Sequence, residues 1–247
     1  MIHRAAAEGF SRSAEAYERG RPGYPAEALE PFLARLRSGA GPPGRATVLD
    51  LAAGTGALTR PLVEAGLTVV AVEPVAEMRA ALPASARALE GTAEAIPLEQ
   101  GSADAVVVGQ AFHWFDGDAA LAEIHRVLRP EGLLALFWNR RVDEDPVNRA
   151  IHELVEPYRA NTPTHRLDAW RAAFSRTSLF APLSENELPN EQRLDAGGME
   201  ARVGSISFIA ALDEPERKRV LERARAIAGE GTVRVPYRAE VQMWRRS

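Results

Sequence analysis

The chain has 247 residues, no cysteine, and a net charge of −4 from 30 basic and 34 acidic side chains. The missing thiols exclude a disulfide scaffold, a thiol nucleophile, cysteine-held zinc and iron–sulfur clusters. The slight acidic excess leaves no electrostatic footprint for nucleic acid, and an apolar content of 46% is that of an ordinary globular domain.

The first ten residues lack the apolar run of a secretory leader. Apolar runs such as 133–138 fall far below the ~18 residues that a membrane helix needs. The expectation is a soluble, cytoplasmic protein with no membrane partner. Residues 5–17 read as a helix. Arg21-Pro22-Gly23-Tyr24-Pro25 breaks it, because proline lacks a donor and fixes its own φ. Pro25 then suits the first turn of a helix with Leu29, Phe32, Leu33 and Leu36 on one face. Residues 39–44 form a loop.

From Thr47 the period changes. Residues 48–51 read as a buried strand, followed by a glycine turn and a helix over 57–65 that Gly66 ends. Residues 67–72 form a second strand, 75–82 a helix, 86–90 a weak third strand and 103–109 a fourth. A helix over 116–128 and a fifth strand over 133–138 follow. Near-continuous apolar strands that alternate with helices of about ten residues indicate a parallel sheet covered on both faces. Beyond Arg141 the pattern loosens. Helices are expected over 143–158 and 164–174, an edge strand over 183–194, and one short helix within 199–212. Asp213 caps a strong helix with Val220, Leu221, Ala224 and Ile227 inward and Gly229 at its end. Residues 233–244 form a last strand.

The chemistry concentrates in Val-Leu-Asp-Leu-Ala-Ala-Gly-Thr-Gly, residues 48–56. A strand runs into glycines and then a helix. Gly54 and Gly56 let the backbone approach a ligand, and the helix start offers free amides. Glu73 ends the next strand, where a carboxylate can accept both hydroxyls of a ribose. A dinucleotide fingerprint would place a third glycine where Thr59 stands, which disfavours NAD. The five histidines show no metal spacing, so no metal is expected. Asp143, Glu144 and Asp145 read as a helix-capping cluster.

The run over 48–56 resembles motif I of the class I S-adenosylmethionine-dependent methyltransferases. The resemblance continues through Glu73–Met78, Gly91–Leu98, Ser102–Asp116 and Glu123–Gly132. His-Trp-Phe at 113–115, with the openings Phe10–Tyr17 and Arg21–Pro25, resembles the subgroup that includes trans-aconitate methyltransferase-like proteins. The fold this implies is a doubly wound, Rossmann-like α/β domain. Its seven strands would run in the order 3-2-1-4-5-7-6, with strand 7 antiparallel and a helical cap. The single domain, 1–247, would divide into an N-terminal helical lid (1–45), a cofactor-binding core (46–141), a helical cap insertion (142–180) and the C-terminal part of the sheet (181–247).

The resemblance also implies site residues. Asp50, Ala52, Gly54 and Gly56 would line the methionine part of S-adenosyl-L-methionine. Glu73 would hold the ribose, with Pro74 and Met78 around the adenine. Thr92, Ala93 and Glu94 would border the adenine edge, although relatives often carry aspartate where Thr92 stands. Gln110 would sit at the reactive end. His113 is the candidate catalytic residue, either as a base or as an orienting group; it and Trp114 have packing at the strand–helix corner as the plain alternative. Tyr17, Arg21, Tyr24, Trp114 and Arg140 are the candidates for holding a small-molecule substrate, the arginines because their fork matches a carboxylate. The expected reaction is O-methylation of a small molecule, with a carboxylate as the favoured acceptor. C- or N-methylation and a non-catalytic binding role are the alternatives.

Overall fold

The computed structural model describes residues 18–39, 46–160, 162–163 and 169–247. Seven strands are β1 (Thr47–Leu51), β2 (Thr68–Val72), β3 (Arg87–Leu89), β4 (Ala103–Gly109), β5 (Leu128–Arg141), β6 (Phe180–Leu194) and β7 (Val233–Arg246). They form one sheet in the order β3-β2-β1-β4-β5-β7-β6. β1 to β5 are parallel, and β7 runs antiparallel to both of its neighbours. Order and direction are those the resemblance implies.

Helices cover both faces, so the central strands bury almost every residue: β1 exposes nothing from Val48 to Leu51. Side chains alternate across the sheet. Val48, Val107, Ala135 and Phe137 face α1 (Ala26–Gly39) and α2 (Thr59–Glu64), where Leu29, Phe32, Leu33, Leu36 and Leu62 complete one core. Leu49, Val106, Leu136 and Trp138 face α4 (Gly117–Val127) and α6 (Arg171–Arg176) in a second. The short α3 (Ala76–Ala80) joins β2 to β3. α1, part of the segment expected as a lid, thus packs as a layer of the sheet, with Phe32 edge-on to Phe137 at 6.1 Å.

A third apolar cluster lies toward the β6–β7 edge. There α5 (Pro146–Val155), α7 (Ala196–Gly204), α8 (Ser207–Ala210) and α9 (Glu214–Ala228) pack with Val235 and Tyr237. Asp145 opens α5 by accepting from the amides of Val147 and Asn148, with Pro146 in the first turn. Asp213 caps α9 through Glu216 N.

Four expectations shift. β5 runs to Arg141 because β7 pairs with it from Leu133 through Arg141. The one helix expected within 199–212 is two, α7 and α8, separated at Ser205 and Ile206. The helix expected over 143–158 begins at Pro146, and Glu156–Tyr158 tightens to a 3-10 turn. Of the helix expected over 164–174, the described part is α6. The helix expected over 5–17 lies outside the described residues. Among these, no helix is long and apolar enough to cross a membrane.

Candidate active site

The sheet order reverses between β1 and β4, so their carboxyl ends splay and leave a crevice. A cavity of about 350 Å³ opens there. Its floor is the turn after β1. Ala52 (φ 56°), Gly54 (φ 58°) and Gly56 (φ 93°) all take left-handed backbone. Alanine pays strain for that conformation; Gln110, at the end of β4, does so as well at φ 57°. Two strained residues thus face each other across the crevice, the place where such strain tends to serve a ligand. A Cβ built on Gly54 would meet nothing within 4 Å, so the backbone is bare toward the cavity. A Cβ on Gly56 would stand 3.2 Å from Leu82 Cδ2 and Pro83 Cδ, so that glycine is held by packing.

Two carboxyls sit under this turn. Asp50 is buried and accepts from Thr59 Oγ1 at 2.6 Å. Burial pushes its pKa up to about 7, and the Glu73 charge adds to the rise. Thr59 therefore has a positive role: it supports an acid, where a glycine would leave that acid bare. Glu73 is 4% exposed and accepts from Gly54 N and Val75 N, each at 2.9 Å. Burial raises its pKa, and those two amides oppose the rise. Each of its oxygens keeps a second lone pair. A bare glycine backbone, a carboxylate with spare acceptor capacity and a further acid at the strand end fit a cofactor that carries ribose hydroxyls and an ammonium group. Asp50, Ala52, Gly54, Glu73 and Gln110 are the residues that would hold it.

The opposite half of the cavity is built from distant segments. Asn139 Nδ2 donates to the carbonyls of Pro22 and Gly23 at 3.3 and 3.1 Å, and Asn190 Nδ2 donates to Gly23 O at 2.9 Å. Arg21 Nη2 donates to Ser205 O at 2.7 Å. Tyr24 Oη donates to Phe137 O at 3.3 Å. These bonds strap residues 20–24 across the sheet end and put Arg21 and Tyr24 in the cavity wall. His113 lies in the 3-10 turn Phe112–Trp114, with ring centroids 4.8 Å from Trp114 and 5.8 Å from Trp138. Enclosure by these rings, with Arg21 nearby, lowers its pKa to about 3, so the imidazole is neutral at physiological pH.

Asp50, Ala52, Gly54, Gln110, His113, Trp114, Arg21 and Tyr24 all line the cavity. Gly56 and Glu73 support it from behind. Met78 and Ala93 are buried, at 2% and 4% exposure. Thr92 bridges to Ala95, Glu94 accepts from Asp116 N, and Arg79 donates to Pro74 O; none of these lines the cavity. Tyr17 lies outside the described residues. Arg140 is not brought to the cavity: it pairs with Glu240 at 3.4 Å, and Arg141 lines the wall instead. Successive residues of β5 point to opposite faces, so the two arginines cannot share one role. Asn139, Arg141, Arg202 and Ser207 are lining residues that the sequence reading did not select as site residues.

Residues 49–136 match the family described as methyltransferase domain. An uncharacterized methyltransferase of Mycobacterium tuberculosis is 50% identical over 150 residues, 59% of this chain. The match spans 58% of the length of that relative. An uncharacterized methyltransferase-like protein of Schizosaccharomyces pombe is 32% identical over 85% of this chain and 82% of its own. A malonyl-[acyl-carrier protein] O-methyltransferase of Pectobacterium atrosepticum is 34% identical over 63% of this chain and 68% of its own. Among solved structures, a candidate type II methyltransferase from Anaeromyxobacter dehalogenans superposes with a TM-score of 0.65 at 24% identity, over 91% of this chain and 97% of that one.

Proposed function

Because the chain belongs to the class I S-adenosylmethionine-dependent methyltransferases, we propose that its cavity carries out O-methylation of a small molecule, with a carboxylate as acceptor. The observation that carries this reading is a cavity of about 350 Å³ lined by Arg21, Arg141 and Arg202, with a neutral His113 in its wall.

S-adenosylmethionine is the cofactor and supplies a methyl group on a sulfonium, whose leaving group is neutral. The protein's work is therefore alignment and exclusion of water. Gln110 and the turn from Ala52 to Gly54 fix the donor side by backbone. Trp114 and Trp138 hold the His113 ring, and His113 presents a neutral nitrogen that orients the acceptor. A base with a pKa of about 3 is poorly matched to drawing a proton from a phenol or an ammonium. A carboxylate is already ionised and needs no base, which is why that acceptor is favoured over C- or N-methylation. The name of the Pectobacterium relative denotes O-methyl transfer, which supports the same reading. The arginines would meet the acceptor's charge.

The test is a screen of purified protein with labelled cofactor against carboxylic acids, phenols and amines. Label transferred to a carboxylic acid as a base-labile ester is the expected result. Label found only on amines or carbon would overturn the reading.

A further inference from the structure

Arg202, on α7, lines the cavity and is 6% exposed. Its Nε donates to Tyr237 Oη at 2.8 Å, and its guanidinium carbon stands 5.8 Å from the Tyr237 ring centroid. Tyr237 Oη in turn donates to Gln192 Oε1 at 2.9 Å. Nη1 is shielded from solvent and has no hydrogen-bond partner. The partners of this buried cation among the described residues are thus a phenol and an aromatic face, with no carboxylate.

Arg126 and Arg159 are satisfied differently. Arg126 spends its whole fork on Glu123 and the carbonyls of Leu98 and Ile96. Arg159, also on the cavity wall, pairs with Glu156 at 2.7 Å. An arginine retained only to brace the fold would be satisfied in the same way. A buried guanidinium without a counter-ion is unfavourable and is tolerated where a ligand completes it. Arg21 reaches the carbonyl of Ser205, so a second cation stands at the same corner.

We infer that Arg202 is the anchor for an oxyanion of the acceptor, and that it selects anionic acceptors over neutral ones. This deepens the reading above and rests on it for the reaction, whereas the test reads binding alone. Tyr237 and Gln192 act as positioning residues: they fix Nε and so turn the remaining edge of the fork to the ligand. The fork matches carboxylate and phosphate oxygens alike.

The experiment follows the thermal midpoint of the full chain at pH 7 and constant ionic strength, as chloride is replaced by acetate, succinate or inorganic phosphate. Wild type, Arg202→Met and Arg202→Lys are compared. The wild-type midpoint should rise saturably with at least one oxyanion. The affinity derived from that rise should fall at least tenfold in Arg202→Met, as expected for losing a charged hydrogen bond, and recover in part in Arg202→Lys. A response to acetate or succinate identifies the anchored group as carboxylate; a response to phosphate alone identifies it as phosphoryl. Methionine fills the volume of the stem and removes the uncompensated charge, so that variant should fold; if it does not, the lysine variant alone must show the loss. An equal rise in wild type and variants, or no rise in wild type with any of the three anions, overturns the assignment. Neither result depends on turnover, so failure of the methylation screen remains a separate outcome.

Discussion

His113→Asn tests the charge state on which the choice of acceptor depends. The folded imidazole has a pKa of about 3, against 6.5 in the unfolded chain. Below pH 6.5 the unfolded chain takes up a proton at this residue and the folded chain does not. The stability that comes from holding His113 neutral is therefore complete above pH 6.5 and is lost as the pH falls toward 3, by about 1.4 kcal/mol per unit. Between pH 7 and pH 5 the loss on this one residue is about 2 kcal/mol, whatever the folded pKa is, provided it lies well below 5. Asparagine binds no proton. The unfolding free energy of the variant, measured against wild type by urea denaturation, should thus improve by about 2 kcal/mol between pH 7 and pH 5. Asp50 works in the opposite sense. Its folded pKa is raised to about 7 from 3.8, so its contribution is present on the acid side and is lost as the pH rises. Taking the difference between variant and wild type cancels that term. A difference that stays constant between the two pH values would mean that the imidazole titrates normally in the fold, and the argument against a basic His113 would fail.

Other outcomes follow from the same geometry. Glu73→Ala removes an acceptor from two backbone amides and from the ribose position, and should weaken binding of S-adenosylhomocysteine by about 1.5–3 kcal/mol in calorimetry. Gly54→Ala and Gly56→Ala should divide binding from stability. The first adds a methyl to open space, so it should lower cofactor affinity at a stability cost limited to the strained φ, about 1 kcal/mol. The second meets Leu82 and Pro83 as well as a strained φ, and should lower the unfolding free energy by about 2 kcal/mol or more. Thr59→Val strips the hydroxyl from buried Asp50 and should destabilise by about 1–3 kcal/mol at pH 7. Arg141→Gln should raise the acceptor KM while Arg140→Gln leaves it unchanged, since only Arg141 lines the cavity.

The turn at the cavity floor was legible because its residues are contiguous. Strand, turn and helix follow one another from Val48 to Glu64, and the glycines and Glu73 announce themselves by spacing. Asp50, Ala52 and Gly54 come together at the cavity floor, where Ala52 adds a left-handed residue that no propensity indicates. The acceptor half resisted, because separate segments meet there, carrying Arg21 and Tyr24, Asn139 and Arg141, His152 and Arg159, and Arg202 and Ser207. Their convergence depends on how α5 and α7 pack beside β7, which has no local signature. The choice of Arg140 failed for a simpler reason. β5 continues past its apolar run to Arg141, and the alternation of a strand separates Arg140 from Arg141. Arg202 was unreadable from sequence, because on α7 it looks like any helical arginine until Tyr237 and Gln192 close around it.

The distribution of charge along the cavity makes one sense of these parts together. Acids lie beneath the turn at one end, as Asp50 and Glu73; toward the other lie Arg21, Arg141 and Arg202, with Glu156 there paired to Arg159. Such a gradient orders a cationic donor and an anionic acceptor head to tail before any bond changes. In the proposed reaction a sulfonium and a carboxylate give a thioether and an ester, both neutral, so charge disappears at the reacting centre. A medium of low polarity favours that disappearance, and a fixed charge beside the reacting atoms would work against it. Between the two charged ends the wall holds Trp114 and a His113 whose ring, backed by buried Trp138, is kept neutral by enclosure. The arginines are then useful only if they hold an oxyanion away from the transferring methyl. That assigns recognition to α7 and β5 and leaves the centre dry. On this account the lowered pKa of His113 is a consequence of the same apolar enclosure that the reaction requires, and a protonated histidine there would stabilise the reactant carboxylate at the expense of the transition state.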